Sequence, residues 1–434
     1  MTELRAAVVG GSIGGCAAAL ALHRAGVRDI TVYERTEGDL AERGVGVAVL
    51  EPLGRELTTA GYLAPDTPWA PISRRRWYVR GAGGPLGRLI HTEEPFALRA
   101  YTWGALWRGL RASLRGRADV RTGATVHSVI PAAGDALPGA EVRTAAGTRH
   151  HSLVIGADGY RSVVREAVSP GVRPSYAGYW AWRGAYPEHR LPGAARWERE
   201  TAAYVVFDGG HLVVYRIPDG TGGLRVNWVL YTAPPPELER PGPEPGSLPP
   251  GTLGSRPYAH LTALAAERLP PFWAEVIGRT DPGELFVQPL YDFTAEPGVS
   301  GAVALLGDAA TVARPHTSAG AVKALQDALA LETALRHATD GTDGTAEVGG
   351  RAGALRADRA LRADRALRAD RAVGALRAYD TVRAARGRAL VGLGRRLGRA
   401  LVETPEDWST VDDAGLASIW ARADAAGLFG GRTG

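Results

Sequence analysis

Short apolar runs that end in glycine turns predict a sheet assembled from distant parts of the chain. Residues 5–9 (Arg-Ala-Ala-Val-Val) and 30–34 (Ile-Thr-Val-Tyr-Glu) are predicted strands, and residues 16–25 between them are a predicted helix. Such a unit of about 30 residues pairs two parallel strands through a crossover helix. Residues 153–158 and 302–308 are further apolar runs that lead into Gly/Asp turns. The pattern therefore predicts an α/β fold.

The middle of the chain has a different pattern. Residues 176–231 carry many Trp and Tyr among β-branched residues and glycines, which predicts antiparallel strands of a second layer. Residues 234–257 are rich in proline and predict an extended loop. Helical patterns return at 258–278 and dominate from residue 320 to the end.

Composition places the chain among large globular proteins. Its 434 residues are 45% hydrophobic and 22% charged, which is enough for more than one compact domain. This composition disfavours a disordered or fibrous protein.

The single cysteine, Cys16, excludes an intrachain disulfide and any metal site built on two thiolates, and it indicates the cytoplasm. We expect Cys16 to be a small buried hydrophobe. Residues 4–22 are apolar but interrupted by glycines, which favours a strand, turn and helix over a cleaved signal. No uncharged apolar run is long enough to predict a membrane span.

The net charge of +5 is concentrated near the end of the chain. Residues 351–371 carry +4, residues 373–403 carry +5 and residues 404–434 carry −3, so the first 350 residues are nearly neutral. Basic surfaces bind polyanions by releasing counterions. A nucleic-acid partner is therefore not expected for the body of the protein. Almost all basic residues are Arg, and Lys323 is the one lysine.

The first motif that carries chemistry is the turn 10–15 (Gly-Gly-Ser-Ile-Gly-Gly), which follows a strand, opens a helix and precedes Glu34 by about 20 residues. Glycines permit the tight turn, the helix N-terminus attracts a pyrophosphate, and the carboxylate accepts hydrogen bonds from a ribose diol. Ser12 stands where the fingerprint has its second glycine. An acidic residue at position 34 disfavours a 2′-phosphate, so the motif predicts FAD or NAD.

Two further motifs make the prediction specific. They are residues 156–165 (Gly-Ala-Asp-Gly-Tyr-Arg-Ser-Val-Val-Arg) and residues 306–310 (Leu-Gly-Asp-Ala-Ala), the latter followed by Pro315 and Gly320. The ordered set resembles the single-component FAD monooxygenases related to para-hydroxybenzoate hydroxylase. Segments 176–184, 225–229 and 313–320 resemble the branch typified by 2,6-dihydroxypyridine 3-monooxygenase.

The resemblance implies a Rossmann-like, three-layer FAD-binding domain with an inserted antiparallel-sheet substrate domain and C-terminal helices. The boundaries we expect are residues 1–70, 98–175 and 285–340 for the FAD domain, 71–97 and 176–284 for the substrate domain, 341–372 for a repeat insertion and 373–434 for a helical region.

The same resemblance implies which residues bind the cofactors. Gly10, Ser12 and Gly15 would face the pyrophosphate, Glu34 the adenosine ribose, and Asp308 the ribityl chain. A helix after Pro315 would point its positive end at the pole of the reduced flavin. Trp103 replaces an Arg that the wider family often has, so Arg99 or Arg108 would make that contact. The cofactor-binding set we expect is Gly10, Ser12, Ile13, Gly15, Glu34, Arg35, Arg108, Asp158, Arg161, Gly307, Asp308, Pro315, Ser318, Ala319 and Gly320.

The activity implied is hydroxylation of an electron-rich aromatic or heteroaromatic ring. NAD(P)H reduces FAD, O2 forms a flavin C4a-hydroperoxide, and this species transfers one oxygen atom. Epoxidation or Baeyer–Villiger oxygenation on the same fold is the alternative, and a non-catalytic basic binding protein is a remote one. The expected partners are the aromatic substrate and O2, with no nucleic acid and no membrane span, and a homodimer is left open.

Side chains would help to deprotonate and orient the substrate. The candidates are His316, in the Pro-His-Thr turn, Tyr215 and His211, and the alternative for His316 is a turn histidine that is solvated or bonded to backbone. His211 is expected at the surface of a hairpin. Trp180, Trp182 and Trp228 are expected in the sheet core rather than in a substrate pocket. Gln288 and Tyr291 would line the substrate side.

One tandem repeat stands apart from these motifs. Leu-Arg-Ala-Asp-Arg-Ala occurs three times over residues 355–372. A six-residue period advances about 600° on a helix, so its leucines form no stripe. Asp358 with Arg362 has the i,i+4 spacing that supports a solvated helix. We expect an expansion in a loop between two C-terminal helices, after the Gly/Thr-rich residues 340–353, with a partner-binding element as the alternative. Deletion of 354–371 is then expected to leave flavin content and NADPH oxidation nearly unchanged.

Overall fold

The computed structural model describes residues 4–40, 46–132, 139–235, 251–252, 254–317, 320–339, 353–403 and 407–423. For residues 338–339, 353–366 and 421–423 it describes the backbone alone. The strands are β1 (Arg5–Val9), β2 (Asp29–Tyr33), β3 (Gly46–Leu50), β4 (Ala70–Ile72), β5 (Arg74–Val79), β6 (Arg88–Glu93), β7 (Leu98–Thr102), β8 (Asp119–Arg121), β9 (Val126–Pro131), β10 (Ala140–Thr144), β11 (Gly147–His151), β12 (Leu153–Gly156), β13 (Ser175–Pro187), β14 (Thr201–Phe207), β15 (Gly210–Pro218), β16 (Leu224–Thr232), β17 (Phe286–Thr294), β18 (Val299–Ser300), β19 (Val303–Leu305) and β20 (Thr311–Val312). The α-helices are α1 (Ile13–Arg24), α2 (Glu51–Thr59), α3 (Trp103–Ser113), α4 (Val163–Val168), α5 (Ser255–Arg268), α6 (Pro271–Gly278), α7 (Gly320–Thr339), α8 (Gly353–Gly398) and α9 (Asp413–Ala423).

A six-stranded sheet contains the predicted distant segments. Its order is β18-β19-β12-β1-β2-β8, and β1 pairs in parallel with both β2 and β12. Parallel sheets are covered on both faces, which is why β1, β2 and β12 are almost continuously apolar. Helices α1 and α7 pack on one face, and α4 with the three-stranded sheet β11-β10-β9 packs on the other. The α/β fold and the parallel strand pairs are confirmed.

An eight-stranded sheet forms the second layer, in the order β20-β17-β13-β16-β15-β14-β5-β6. It is antiparallel except where β14 pairs in parallel with β5. Side chains alternate between its two faces because a strand has a period of two residues. Trp182 and Trp228 are completely buried on one face against α5 and α6. The expectation that Trp180, Trp182 and Trp228 belong to the sheet core is confirmed.

The domain boundaries remain a prediction. The sheet order shows that two strands of the segment expected in the FAD domain pair with the second layer. Strands β17 and β20 lie in the eight-stranded sheet, although both come from the segment 285–340 that we assign to the FAD domain. The proline-rich loop lies mostly outside the described residues. The helical prediction for 258–278 is confirmed by α5 and α6.

The expectation of a loop for the repeat is wrong. Residues 355–372 lie inside α8, which runs without a break from Gly353 to Gly398. Leu, Arg and Ala are strong helix formers, and nothing in the repeat interrupts a helix. Its last copy also packs, because Ala369 and Ala372 are buried while Leu367 is half exposed. The repeat therefore extends a helix that is part of the core.

Candidate active site

A cavity of about 540 Å³ runs from the glycine turn of the parallel sheet to the face of the eight-stranded sheet opposite its tryptophan core. Glu34 and Arg35 line one end, and His211, Tyr215 and Tyr231 line the other. We call the second end the inner chamber. Leu401 and Trp420, from the C-terminal part of the chain, also line the cavity. Its volume is typical of sites for organic ligands.

The glycine turn is held in place from several sides. Gly10 has a φ of +103°, which favours glycine, and a Cβ on Gly15 would lie 1.8 Å from the Gly10 carbonyl oxygen. The N–H of Gly11 donates to Glu34 Oε2 at 2.7 Å. Trp107 Nε1 donates to the Gly11 carbonyl at 2.9 Å. Sequence reasoning missed Trp107, whose indole no motif marks.

Ser12 begins α1 as its N-cap residue, yet its side chain makes no capping hydrogen bond. The hydroxyl is therefore available to a ligand at the positive end of the helix. Glu34 already accepts hydrogen bonds from two backbone N–H groups, those of Gly11 and Thr36. A carboxylate can accept about four, so it retains capacity for ligand hydroxyls.

Most predicted cofactor residues line this cavity, and two do not. Gly15 packs beneath the Gly10 carbonyl and not at the cavity surface. Its lack of a side chain allows the first turn of α1 to lie close to the backbone of Gly10. Arg108 is exposed on α3 and is not among the residues that line the cavity. Ser318 and Ala319 lie outside the described residues. The residues that line the cavity are Gly10, Ser12, Ile13, Glu34, Arg35, Asp158, Arg161, Gly307, Asp308, Pro315 and Gly320.

Arg99, the other candidate for the contact with the cofactor, is not among the residues that line the cavity either. Arg99 pairs with Glu51, with Nη2 at 2.9 Å from Oε1, and its guanidinium lies over the ring of Trp69. Trp103 itself lines the cavity and stacks parallel to Trp107.

Asp158 has a structural task in addition to lining the cavity. Its Oδ1 accepts from the Ser162 hydroxyl at 2.6 Å and its Oδ2 from the Val163 N–H at 2.7 Å, so it caps the start of α4. Burial raises the pKa of this carboxyl, and the hydrogen bonds from Ser162 and the backbone oppose that change.

The Gly-Asp turn at residues 307–308 is clamped by a buried charge cluster. The Gly307 N–H donates to Asp327 at 2.9 Å, and Lys323 Nζ donates to the Gly307 carbonyl at 2.7 Å and to Asp327 at 3.0 Å. Arg383 of α8 pairs with the other oxygen of Asp327. Burial alone would raise the pKa of Asp327, but the two cations outweigh it and the pKa is lowered. Asp308 is thereby presented at the surface of the cavity.

Alternate residues of β15 form one wall of the inner chamber. His211, Val213 and Tyr215 face the cavity, while Leu212 and Val214 belong to the core on the other face. The expectation of a surface position for His211 is wrong, since only 1% of the residue is exposed. It occupies the inward position of a strand that continues to Tyr215, and the period of two could have revealed this.

Asn227 fixes the orientation of the Tyr215 hydroxyl. The Oδ1 of Asn227 accepts from the Gly46 N–H at 2.9 Å, which leaves its amide nitrogen to donate to Tyr215. A Cβ on Gly46 would lie 2.7 Å from both Asn227 and the Tyr215 hydroxyl, so any larger residue there would displace these two side chains. Burial raises the pKa of Tyr215. The phenol therefore stays protonated, and its own O–H is left to donate.

His316 lies against His211 and Tyr231, with ring centroids 5.1 Å and 4.8 Å away. Its Nε2 is 2.6 Å from the Tyr179 hydroxyl. Tyr179 is also hydrogen-bonded to Arg314, which has only donors, so the Tyr179 oxygen accepts from Arg314 and its hydrogen goes to His316. His316 is thereby assigned as the tautomer with its proton on Nδ1. Burial lowers the pKa of His316 well below its ordinary value and that of His211 to about 3, so both rings are neutral.

Arg183 is a candidate functional residue that sequence reasoning did not single out, although it lies in the segment 176–184. It lines the cavity, its Nε is buried without a hydrogen-bond partner in the described structure, and its charge lowers the pKa of Tyr215 and Tyr231 against the larger effect of burial. A half-buried guanidinium beside neutral rings favours a ligand with negative charge. Gln288 lines the same cavity, as expected, whereas Tyr291 lines a smaller neighbouring one.

Comparison with known proteins identifies the family. Residues 176–292 match the family model described as FAD binding domain-like. The chain is 31% identical over 342 residues to 2,6-dihydroxypyridine 3-monooxygenase of Paenarthrobacter nicotinovorans, covering 76% of this chain and 82% of that one. It is 32% identical over 342 residues to a 3-amino-4-hydroxybenzoate 2-monooxygenase of Streptomyces platensis, covering 75% and 78%. The chain belongs to the FAD-dependent aromatic monooxygenases.

Solved structures agree with this membership. The monooxygenase superposes on 2,6-dihydroxypyridine-3-hydroxylase of Arthrobacter nicotinovorans with a TM-score of 0.73 at 26% identity, covering 95% and 96% of the two chains. It shares the fold of Klebsiella pneumoniae HpxO complexed with FAD and uric acid, with a TM-score of 0.69, 22% identity and coverage of 98% and 95%. The enzyme uses FAD, with NAD(P)H as the co-substrate typical of its class. Across its described residues, no helix combines the length and apolarity needed to cross a membrane.

Proposed function

We propose that FAD lies along the cavity with its pyrophosphate at the N-terminus of α1 and its adenosine ribose at Glu34. The Ser12 hydroxyl, which makes no capping hydrogen bond, and the dipole of α1 support this position. Neither Gly10 nor Gly15 has space for a Cβ, which supports a tight turn whose backbone a pyrophosphate can approach closely. Asp308 and the start of α7 at Gly320 would hold the ribityl chain and the flavin pole.

We propose further that the inner chamber binds a phenol or a hydroxylated nitrogen heteroaromatic as its oxyanion. The observation that carries this proposal is the pairing of the Tyr215 O–H donor with the charge of Arg183 among neutral rings. An oxyanion there gains a charge-assisted hydrogen bond and a nearby cation. The named activities of the relatives, on a dihydroxypyridine and an aminohydroxybenzoate, support an oxygen-bearing ring.

The role of His316 follows from its hydrogen bonds. Its Nε2 lone pair is taken by the Tyr179 hydroxyl and its Nδ1 carries the proton, so it has no free lone pair with which to remove a proton from the substrate. We therefore assign His316 to the chamber wall, where it orients the ring, and assign stabilisation of the substrate anion to Tyr215 and Arg183. Electron donation from that oxyanion makes the ring more reactive toward oxygen transfer.

When bound, FAD supplies the redox chemistry that passes two electrons from NAD(P)H to O2 and one oxygen atom to the ring. The chain supplies orientation and exclusion of water. Leu401 is buried and Trp420 half-buried where they line the cavity, and we propose that they close the chamber on its C-terminal side.

A substrate screen with a variant tests the proposal. Hydroxypyridines, phenols and polycyclic aromatics are added to the FAD-loaded enzyme, and substrate-stimulated NAD(P)H oxidation is measured together with product mass. Tyr215→Phe, which removes one donor to a charged ligand, is expected to lower kcat/KM for the best substrate about tenfold or more with FAD content unchanged. An epoxide or a ring-expanded lactone as product would favour the alternative oxygenations. An unchanged kcat/KM in Tyr215→Phe would contradict the assigned role.

We also propose a cytoplasmic location, which the single cysteine supports, since disulfides are typical of oxidising compartments. A homodimer stays a prediction, and sedimentation of the FAD-loaded enzyme measures it. The basic binding-protein alternative has no support from the nearly neutral first 350 residues.

A further inference from the structure

The inner chamber extends beyond the side chains to which the substrate oxyanion is assigned. One row of paired residues crosses the chamber face of the eight-stranded sheet. The residues that share this row and line the cavity are Arg183 on β13, Val229 on β16, Val213 on β15 and Tyr204 on β14. The row therefore begins at a cation and ends at an aromatic ring.

This row is longer than one ring. Three strand spacings separate β13 from β14 in the sheet order, and neighbouring strands lie about 4.7–4.9 Å apart. The backbones at Arg183 and Tyr204 are therefore roughly 14 Å apart, and side chains stand roughly perpendicular to the sheet. A single phenol ring with its oxygen held at Arg183 leaves part of that distance unfilled. The space beside Tyr204 is available to another part of the same ligand.

Apolar side chains from three parts of the chain enclose this far end. Ile72 and Leu98 are paired neighbours on β4 and β7 of the three-stranded sheet β3-β7-β4. Tyr204 belongs to the eight-stranded sheet, and Leu401 and Trp420 come from the C-terminal part of the chain. All five line the cavity, and Ile72 and Leu401 are almost completely buried. We call this end of the inner chamber the apolar subsite.

Arg75 lies behind the apolar subsite, and the protein itself holds its charge. Its guanidinium lies 4.6 Å from the ring centre of Phe96, 5.3 Å from that of Tyr204 and 5.5 Å from that of Trp420. Its Nε donates to Glu93 at 2.8 Å, and Arg75 is not among the residues that line the cavity. A ligand in the subsite therefore meets ring surfaces rather than the cation. A charged group placed there would lose its hydration without gaining a partner.

Trp420 of α9 closes the end of the row. Its ring packs edge-on against that of Trp77, with centroids 5.2 Å apart and ring planes at 67°. Trp77 pairs with Tyr204 across β5 and β14, and their ring centroids are 4.6 Å apart. Trp420 therefore stands where the row reaches β5, and an apolar group that extends along the row meets it.

We propose that the substrate carries an apolar substituent, such as an alkyl chain, which fills the apolar subsite while the oxyanion lies at Tyr215 and Arg183. The substrate class of the proposed function, on which this inference rests, is then narrowed to lipophilic phenols and hydroxypyridines. Burial of the substituent contributes hydrophobic free energy that a bare ring cannot gain. Trp420 sets the longest substituent that fits.

The test is a series of para-alkylphenols, from phenol to para-hexylphenol, added to the FAD-loaded enzyme. Dissociation constants are measured by calorimetry, and kcat/KM for NAD(P)H oxidation is measured together with product mass. Each added methylene is expected to lower the dissociation constant by up to about fourfold until the chain meets Trp420, where the gain stops. The charged probe para-hydroxyphenylpropionate is expected to bind no better than phenol.

Variants place the effect within the subsite. Trp420→Ala removes the end wall, so the chain length that binds most tightly is expected to increase. Trp69→Ala, at an exposed position away from the cavity lining, is the matched control and is expected to give the wild-type series. Ala202→Leu adds bulk beside Tyr204, where Ala202 lines the cavity, so the gain with chain length is expected to disappear. This variant decides if Trp420→Ala does not fold.

Dissociation constants that stay level or rise with chain length would overturn the proposal, and so would a wild-type series in Ala202→Leu. Equal binding of the charged probe and an alkylphenol of the same length would also contradict an apolar subsite. Hydroxylation of phenol without any gain from longer chains leaves the proposed function in place and overturns the subsite. A falling series in an enzyme that hydroxylates none of the phenols supports the subsite and contradicts the proposed function.

Discussion

The Tyr179 hydroxyl lies 2.6 Å from Nε2 of His316 and connects the wall of the inner chamber to a buried ionic network. Arg314 pairs with Asp292 at 2.9 Å, and it is also hydrogen-bonded to Tyr179. The arrangement requires Gly398, because a Cβ there would lie 2.4 Å from the Tyr179 hydroxyl. The last turns of α8 therefore help to set the orientation of His316.

Removal of this hydroxyl is expected to misplace His316. We predict that Tyr179→Phe lowers the fraction of NAD(P)H oxidation that yields hydroxylated product, and lowers kcat/KM about tenfold, as for loss of one buried hydrogen bond. Tyr186→Phe is the matched control, since its hydroxyl donates to the Val276 carbonyl in the tryptophan core. Equal product yields in the two variants would contradict the positioning role of Tyr179.

Buried neutral histidines make the protein sensitive to acid. Burial lowers the pKa of His211 to about 3, so between that value and an unfolded pKa near 6.5 the unfolded state binds more protons. Stability is therefore lost as the pH falls below 6.5. We predict that His211 contributes about 2 kcal/mol to the loss in unfolding free energy between pH 6.5 and pH 5.

Urea titrations at the two pH values measure that contribution. His211→Gln is expected to reduce the acid-dependent loss by about this amount, and His127→Gln, at an exposed position, is expected to leave it unchanged. The same acid dependence in His211→Gln as in the wild type would show that His211 is not buried as described.

Two arginines of α8 provide a matched pair for the clamp at Gly307. Arg383 pairs with the buried Asp327, whereas Arg388 pairs with Glu296 at the surface. We predict that Arg383→Met lowers the unfolding free energy by about 3 kcal/mol and weakens FAD binding, because it leaves a buried charge partly uncompensated. Arg388→Met is expected to cost less than about 1 kcal/mol. Similar losses in the two variants would contradict the clamp.

The repeat can be divided by what it contacts. Deletion of residues 355–366, its first two copies, is predicted to leave FAD content nearly unchanged. Deletion through residue 372 also removes the buried Ala369 and Ala372 and is predicted to lower FAD content and stability. The ratio of flavin to protein absorbance measures the FAD content of the two deletion variants. Full FAD content after the longer deletion would restore the original expectation of a dispensable insertion.

The sequence predicted the parts of the site that depend on local patterns. The turn at residues 10–15, Glu34 and the Gly-Asp turn each follow a strand, so their positions follow from strand ends alone. The sequence could not predict contacts between distant strands. The sequence does not distinguish Arg99 and Arg108 from the many other arginines, and the hairpin turn before His211 favours a surface position that the structure does not show. The burial of His211 depends on the packing of β15 against the cavity, which no single segment encodes.

The oxygen atom in the product is the most direct test of the account. The FAD-loaded enzyme is incubated with NAD(P)H, the best aromatic substrate and isotopically labelled O2, and the product is analysed by mass spectrometry. The account predicts one labelled oxygen atom on the aromatic ring for each NAD(P)H consumed productively. A product without the label, or NAD(P)H oxidation that no aromatic compound stimulates, would contradict an FAD-dependent aromatic hydroxylase.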